Sequence, residues 1–262
     1  MASRKEQREQ ARAEREAREA AERAKAQRKR RILQLGGALV AAAVIVVVAV
    51  VISSGGSSSK KGGSAKGAAQ GSAEVQQLLA GIPQNNLILG DPKATVTVIE
   101  FADLKCPFCM QYTLNVQPDI VKRYVRTGKV KMQWRNLAFV GNDPADTQAA
   151  ALATLAAGKQ NKLWNFADVF YRNQGDEATT YVTEAFIRKI ASAVPGLDVE
   201  KLIKDSASPD VQQELAVAQQ EANKLGANST PTFYIQKGSG APVKVGDFQR
   251  LAQELDKALG AG

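Results

Sequence analysis

Two cysteines, Cys106 and Cys109, carry the reactive chemistry of this 262-residue chain, which contains no histidine. The missing histidines exclude serine-type triads, Cys–His proteases and His-ligated metals. A structural zinc site needs four ligands, so two thiols do not make an intrachain site, and neither a metal nor any other bound cofactor is expected. Three readings of Cys106-Pro107-Phe108-Cys109 remain. A purely structural disulfide would close too short a loop to stabilise the fold much. Two inert buried thiols would sit poorly in an oxidising compartment. In a helix, residues three apart lie about 5–6 Å from each other on one face, within the reach of a disulfide. The spacing therefore favours a redox-active pair that opens and closes.

The elements around the pair must place it. Thr95-Val96-Thr97-Val98-Ile99-Glu100-Phe101 is β-branched and almost continuously apolar, as in a strand covered on both faces with parallel neighbours. A helix-compatible stretch follows Cys106 to about Thr127, and Pro107 suits its first turn because a proline there gives up no intrahelical bond. Cys106 is thus expected at a helix start, exposed, with unpaired N–H groups and the positive end of the dipole favouring its thiolate. Lys105 either adds to that field or is simply solvated. Pro118 should kink the helix. Val130 to Phe139 reads as a second strand. Pro144 to Gly226 is Ala-rich and helical in period, interrupted at Gly158, Gly175, Pro195-Gly196 and Pro209. Thr232–Gln236 and Val243–Val245 form a hairpin, and Asp247 caps a last helix to about Leu259. A short helix over Ala73–Gly81 leads into Ile82-Pro83. The order β, α, β, helical block, β, β, α predicts an α/β, thioredoxin-like fold with a helical insertion at about 142–226.

Composition divides the rest of the chain. Residues 1–31 hold 12 Lys/Arg and 6 Asp/Glu, with pairs such as Glu14 and Arg18 supporting a solvated helix that lacks an apolar stripe. Ile32 to Ile52 is free of charge for 21 residues, and at about 1.5 Å per residue it spans a bilayer core of roughly 30 Å. It is too long for a signal-peptide core and no A-x-A-like cleavage pattern follows, which favours an uncleaved anchor. Arg28, Lys29, Arg30 and Arg31 at its front place the N-terminus in the cytosol and the remainder outside the cell membrane, as a single-pass protein. Residues 53–72, rich in Ser, Gly, Ala and Lys, read as a flexible linker. Residues 73–262 form the globular domain. Residues 82–262 hold 20 basic against 19 acidic side chains, so the surplus charge lies outside the body and a nucleic-acid groove is excluded.

The globular part resembles the DsbA-like branch of the thioredoxin superfamily. The resemblance runs over residues 82–259 and is carried by Gly81-Ile82-Pro83-Gln84, Leu89-Gly90-Asp91-Pro92, Val98-Ile99-Glu100-Phe101, Cys106-Pro107-Phe108-Cys109, Trp164-Asn165-Phe166 and Thr230-Pro231-Thr232-Phe233. It implies that Cys106 is the nucleophilic cysteine and Cys109 the buried resolving one. It further implies that Pro231 is a cis-proline against the pair, that Thr230 offers backbone groups to an extended substrate, and that Glu100 is a buried acid moving protons to and from Cys109; the alternative for Glu100 is a strand-end residue turned to solvent. The branch acts on exported proteins with free thiols and is reoxidised by a membrane-embedded partner of the DsbB or vitamin-K-epoxide-reductase type. Pro107 and Phe108 stand where other members carry a histidine, which leaves the strength of the oxidant open; Phe108 either forms an apolar lip for substrate or packs on the sheet. Trp164, Phe166, Phe170 and Tyr171 are expected in the core of the helical block.

Three functional readings follow. The first is oxidation of exported thiols through Cys106 and Cys109. The second keeps the chemistry but runs it as a reductase or isomerase. The third is a peptide-binding module in which the cysteines only stabilise a loop. The charged tail could also recruit a cytosolic partner or anionic lipid.

Overall fold

Every residue of the strand Val96–Ala102 is buried, and this strand organises the molecule. The computed structural model describes residues 68–260. The charged tail and the apolar span fall outside the described residues, as does most of the linker; among the described residues, no helix is long and apolar enough to cross a membrane.

The strands are β1 (Gln84–Asn85), β2 (Ile88–Leu89), β3 (Val96–Ala102), β4 (Val130–Asn136), β5 (Thr232–Lys237) and β6 (Val243–Val245). They form one six-stranded sheet in the order β1-β2-β4-β3-β5-β6. The central strand β3 runs parallel to β4 and antiparallel to β5, so only one of its neighbours has the expected direction. Burial on both faces arises instead from helices stacked on each side. Alternation along β3 sends Val98 and Ala102 to the larger core, which holds Cys109 and Tyr112. Ile99 and Phe101 point to a smaller core with Leu137, Ala222 and Tyr234. The edge hairpin of β1 and β2 is unforeseen from sequence, since strands of two residues carry no periodicity. Gly90, which follows it, has φ of 114°, and a Cβ there would meet the Val130 carbonyl oxygen at 3.1 Å.

The helices are α1 (Ser72–Leu79), α2 (Pro107–Asn115), α3 (Gln117–Ile120), α4 (Pro144–Gly158), α5 (Leu163–Tyr171), α6 (Glu184–Ser192), α7 (Val199–Ser206), α8 (Pro209–Leu225) and α9 (Leu251–Leu259). The long helix after the cysteines breaks at Val116, whose φ and ψ are −117° and −46°, and restarts with Pro118 in its first turn before a π-helical turn over Val121–Val125. The proline therefore interrupts the helix where its ring and missing N–H demand. Helices α4 to α8 form the insertion between β4 and β5. Their starts carry their own caps: the side chains of Asp143, Thr183 and Asp198 accept from Ala145, Phe186 and Lys201 N–H groups. Trp164, Phe166, Phe170 and Tyr171 are at most 1% exposed. Trp164 meets Trp134 of β4 edge to face at 5.4 Å between centroids and so joins the insertion to the sheet.

The end of the linker is more ordered than its composition suggests. Gln70 exchanges backbone hydrogen bonds with the Asn173 side chain at 3.0 Å each way, and Ala69 packs on the core.

Candidate active site

Cys106 occupies the N-cap of α2 in an extended conformation, with Pro107 at the first helical position. Cys109 lies one turn on and is fully buried; both thiols are free. The segment between β3 and α2 is fixed from several directions. The buried carboxylate of Asp103 accepts from the Lys105, Phe139 and Val140 N–H groups, each at 2.9 Å, and from the Thr147 hydroxyl. Gln174 donates to the Leu104 and Cys106 carbonyls at 2.7 and 3.2 Å, and the Tyr171 hydroxyl donates to the Asp103 carbonyl at 3.1 Å. The loop carrying Cys106 is therefore held by side chains of the helical insertion.

Lys105 takes neither course expected of it. Its side chain is 0% exposed and turns away from the cysteines to Asp146, at 2.5 Å, and to the Thr179 carbonyl, at 2.8 Å, beneath the Tyr181 ring. A buried ammonium needs such a partner, and Asp146 is in turn held by the Tyr181 and Val182 N–H groups. Lys105 anchors the loop by these bonds, and it is not among the groups that lower the Cys106 thiol.

Cys106 is 4% exposed, not open as expected. The Thr230-Pro231 loop covers it: the peptide bond is cis, and the Thr230 carbonyl accepts from Cys106 Sγ at 3.2 Å. The Cys106 thiol is nonetheless lowered from 9.0 to about 6. A hydrogen bond from the Cys109 thiol is the largest cause, and burial opposes it; the Thr230 side chain and the Cys109 and Phe108 N–H groups add smaller contributions. The Thr230 carbonyl favours the thiol form. The Thr230 side chain acts the other way, and the balance lies with the anion. The main-chain groups expected to dominate are thus secondary to the neighbouring sulfur.

Cys109 shows the opposite behaviour. Burial pushes its pKa well above 9.0, and donating to Cys106, the Cys106 charge and Glu100 all push the same way. One sulfur is an anion near neutral pH and the other holds its proton, the division of labour a nucleophile and a resolving thiol require. Glu100 is 0% exposed with neither carboxyl oxygen hydrogen-bonded among the described residues. Burial raises it from 4.5 to about 8. Phe108 is 58% exposed, while Pro107, Thr230 and Pro231 are half-buried around the sulfur. Cys106, Cys109, Thr230 and Pro231 thus come together, Glu100 lies in the layer beneath, and the Phe108 side chain is exposed at the surface beside Cys106.

Sequence reasoning missed Asp103, Asp146, Thr147 and Gln174. Asp103 offered a faint signal, a carboxylate between an apolar strand and a cysteine; the others lie 40 or more residues from the loop they hold.

A family model described as Thioredoxin matches residues 83–253. The chain belongs to the thioredoxin family. Among curated proteins, "Probable disulfide bond formation protein D" of Bacillus cereus is 31% identical over 172 residues, covering 65% of this chain and 77% of that protein. "Disulfide bond formation protein D" of Bacillus subtilis is 27% identical over 178 residues, covering 66% and 76%. The crystal structure of oxidised BdbD from Bacillus subtilis superposes with a TM-score of 0.59 at 24% identity, covering 68% of this chain and 97% of that one. With its family and its sulfur pair established, the chain is a thiol–disulfide oxidoreductase.

Proposed function

We propose that the protein is a membrane-tethered oxidant of exported protein thiols, acting through Cys106-Pro107-Phe108-Cys109 on the outer side of the cell membrane. The observation that carries this reading is the opposite tuning of the two sulfurs. A stabilised Cys106 thiolate favours the dithiol form and so favours handing the disulfide on.

A substrate thiolate attacks Cys106 Sγ of the oxidised pair; the Cys106–Cys109 bond breaks, a substrate–Cys106 disulfide forms, and the electron pair leaves on Cys109, which takes a proton. A second substrate thiolate attacks the substrate sulfur of that mixed disulfide. The substrate departs oxidised, and Cys106 leaves as its preferred anion. Cys109, fully buried, is shielded from the first attack. Cys106, 4% exposed under the Thr230 carbonyl, is reached when an extended substrate displaces that contact and takes up the Thr230 backbone, with Phe108 as an apolar lip. Glu100, beneath Cys109, serves as its proton partner.

The curated relatives named for disulfide bond formation support the direction, and the uncharged span from Ile32 to Ile52 supports the tether. A quinone-linked membrane oxidase of the DsbB or vitamin-K-epoxide-reductase type is the class of partner that would restore the disulfide. The test is Cys109→Ser in cells: exported proteins should accumulate as disulfide adducts on Cys106. If no such adduct forms, the reading is overturned.

A further inference from the structure

Glu100 does not lie alone under the cysteines. On the face of β3 that carries Val98 and Ala102, the layer above it is formed by α2, which contributes Cys109 and Tyr112. Tyr112 is 0% exposed, and its hydroxyl, like both Glu100 carboxyl oxygens, has no hydrogen-bond partner among the described residues. Its ring sits 4.4 Å from that of Phe233, the β5 residue directly opposite Glu100 in the sheet register. Tyr112 therefore packs, with its ring tilted by 53°, against the cross-strand neighbour of the acid, one helical turn beyond Cys109. Burial above all, and then the charges of Glu100 and Cys109, push the Tyr112 phenol well above 10.0, which keeps it a neutral donor.

Three polar atoms sealed in one apolar layer are costly unless they are joined. A direct bond between phenol and carboxyl is not made, and a water has the bonding capacity to join them, accepting from a phenol while donating to a carboxylate and a sulfur. We propose that Tyr112 is a positioning residue for the proton step, its hydroxyl holding, through one buried water, the Glu100 carboxyl in place beside Cys109 Sγ. When the Cys106–Cys109 bond breaks, Glu100 gives its proton to the Cys109 thiolate, and the Tyr112 hydroxyl stabilises the carboxylate left behind. In the reverse direction the carboxylate takes the Cys109 proton, and the thiolate attacks the mixed disulfide on Cys106. The inference rests on the redox reading above.

Among the described residues, the other ionisable group set against Glu100 is Tyr171 of α5, whose phenol is raised first by burial and then by the charges of Cys109 and Glu100 and is engaged with the Asp103 carbonyl. The residues paired with Glu100 on the flanking strands, Trp134 and Phe233, do not titrate. Among the described residues no cation offsets the burial of Glu100, which leaves a single donor decisive.

The test uses the full-length chain carrying a glutathione mixed disulfide on Cys106. Release of glutathione by Cys109 is followed by stopped flow across pH. Tyr112→Phe keeps the ring and its packing and removes only the donor. Its midpoint should rise by about one pH unit, and the release rate at neutral pH should fall about tenfold. In a Glu100→Gln background the same substitution should change the rate less than twofold. An unchanged midpoint in folded Tyr112→Phe protein, or an equal loss in the Glu100→Gln background, overturns the inference. These failures are distinct from failure of the redox reading, in which the Cys106 adduct would not form at all.

Discussion

Removing the Cys109 sulfur tests what holds Cys106 as an anion. The fall from 9.0 to about 6 corresponds to roughly 4 kcal/mol of preference for the thiolate, an upper value because water at the helix end screens the charge. A hydrogen bond to a charged group contributes about 1.5–3 kcal/mol, or about one to two pH units. Cys109→Ala should therefore bring Cys106 to a pKa of about 7–8, while Cys109→Ser, which retains a donor, should shift it by less than half as much. The assay is thiolate ultraviolet absorbance against pH on the reduced protein, with alkylation rate as a second reading. If both variants titrate like the parent, main-chain dipoles at the helix start hold the anion and the assignment to the neighbouring thiol is refuted.

Two further outcomes follow from buried charge. Glu100 keeps its proton in the folded protein up to about 8, whereas the unfolded chain releases it near 4.5. The folded state binds the extra proton between those values, so stability falls as pH rises through that window, by up to about 5 kcal/mol. Glu100→Gln should remove the fall, as read by urea denaturation of the reduced protein across this range; parallel pH profiles for parent and variant would contradict the buried-acid picture. Lys105→Met leaves the Asp146 carboxylate buried without its cation and should cost about 3–5 kcal/mol in the same assay. A loss below about 1 kcal/mol would place the pair among those without consequence.

How much of this was legible beforehand depended on distance along the chain. The strand, the proline-led helix start and the cysteine spacing are local, and the chain order around Cys106 and Cys109 follows from them. Glu100 interrupts an apolar strand, so its type was visible; its burial followed only once helices were known to cover both faces of β3. The low exposure of Cys106 comes from Thr230, 124 residues away, and no pattern near the cysteines announces it. Lys105 misled for a similar reason, because its partner Asp146 is 41 residues distant. The direction of the second neighbour of β3 was hidden because an apolar strand reads alike whether its partner runs parallel or antiparallel.

The most direct test of the account is the reduction potential of the Cys106–Cys109 pair in glutathione buffers as a function of pH. An ionised Cys106 beside a protonated Cys109 means that reduction takes up one proton above about pH 6 and two below it. The potential should then fall by about 59 mV per pH unit in acid and about 30 mV per unit above the break, lying at neutral pH well above the roughly −270 mV of thioredoxin. A slope near 59 mV persisting to alkaline pH, with a potential at or below thioredoxin's, would contradict both the tuned sulfur and the oxidant.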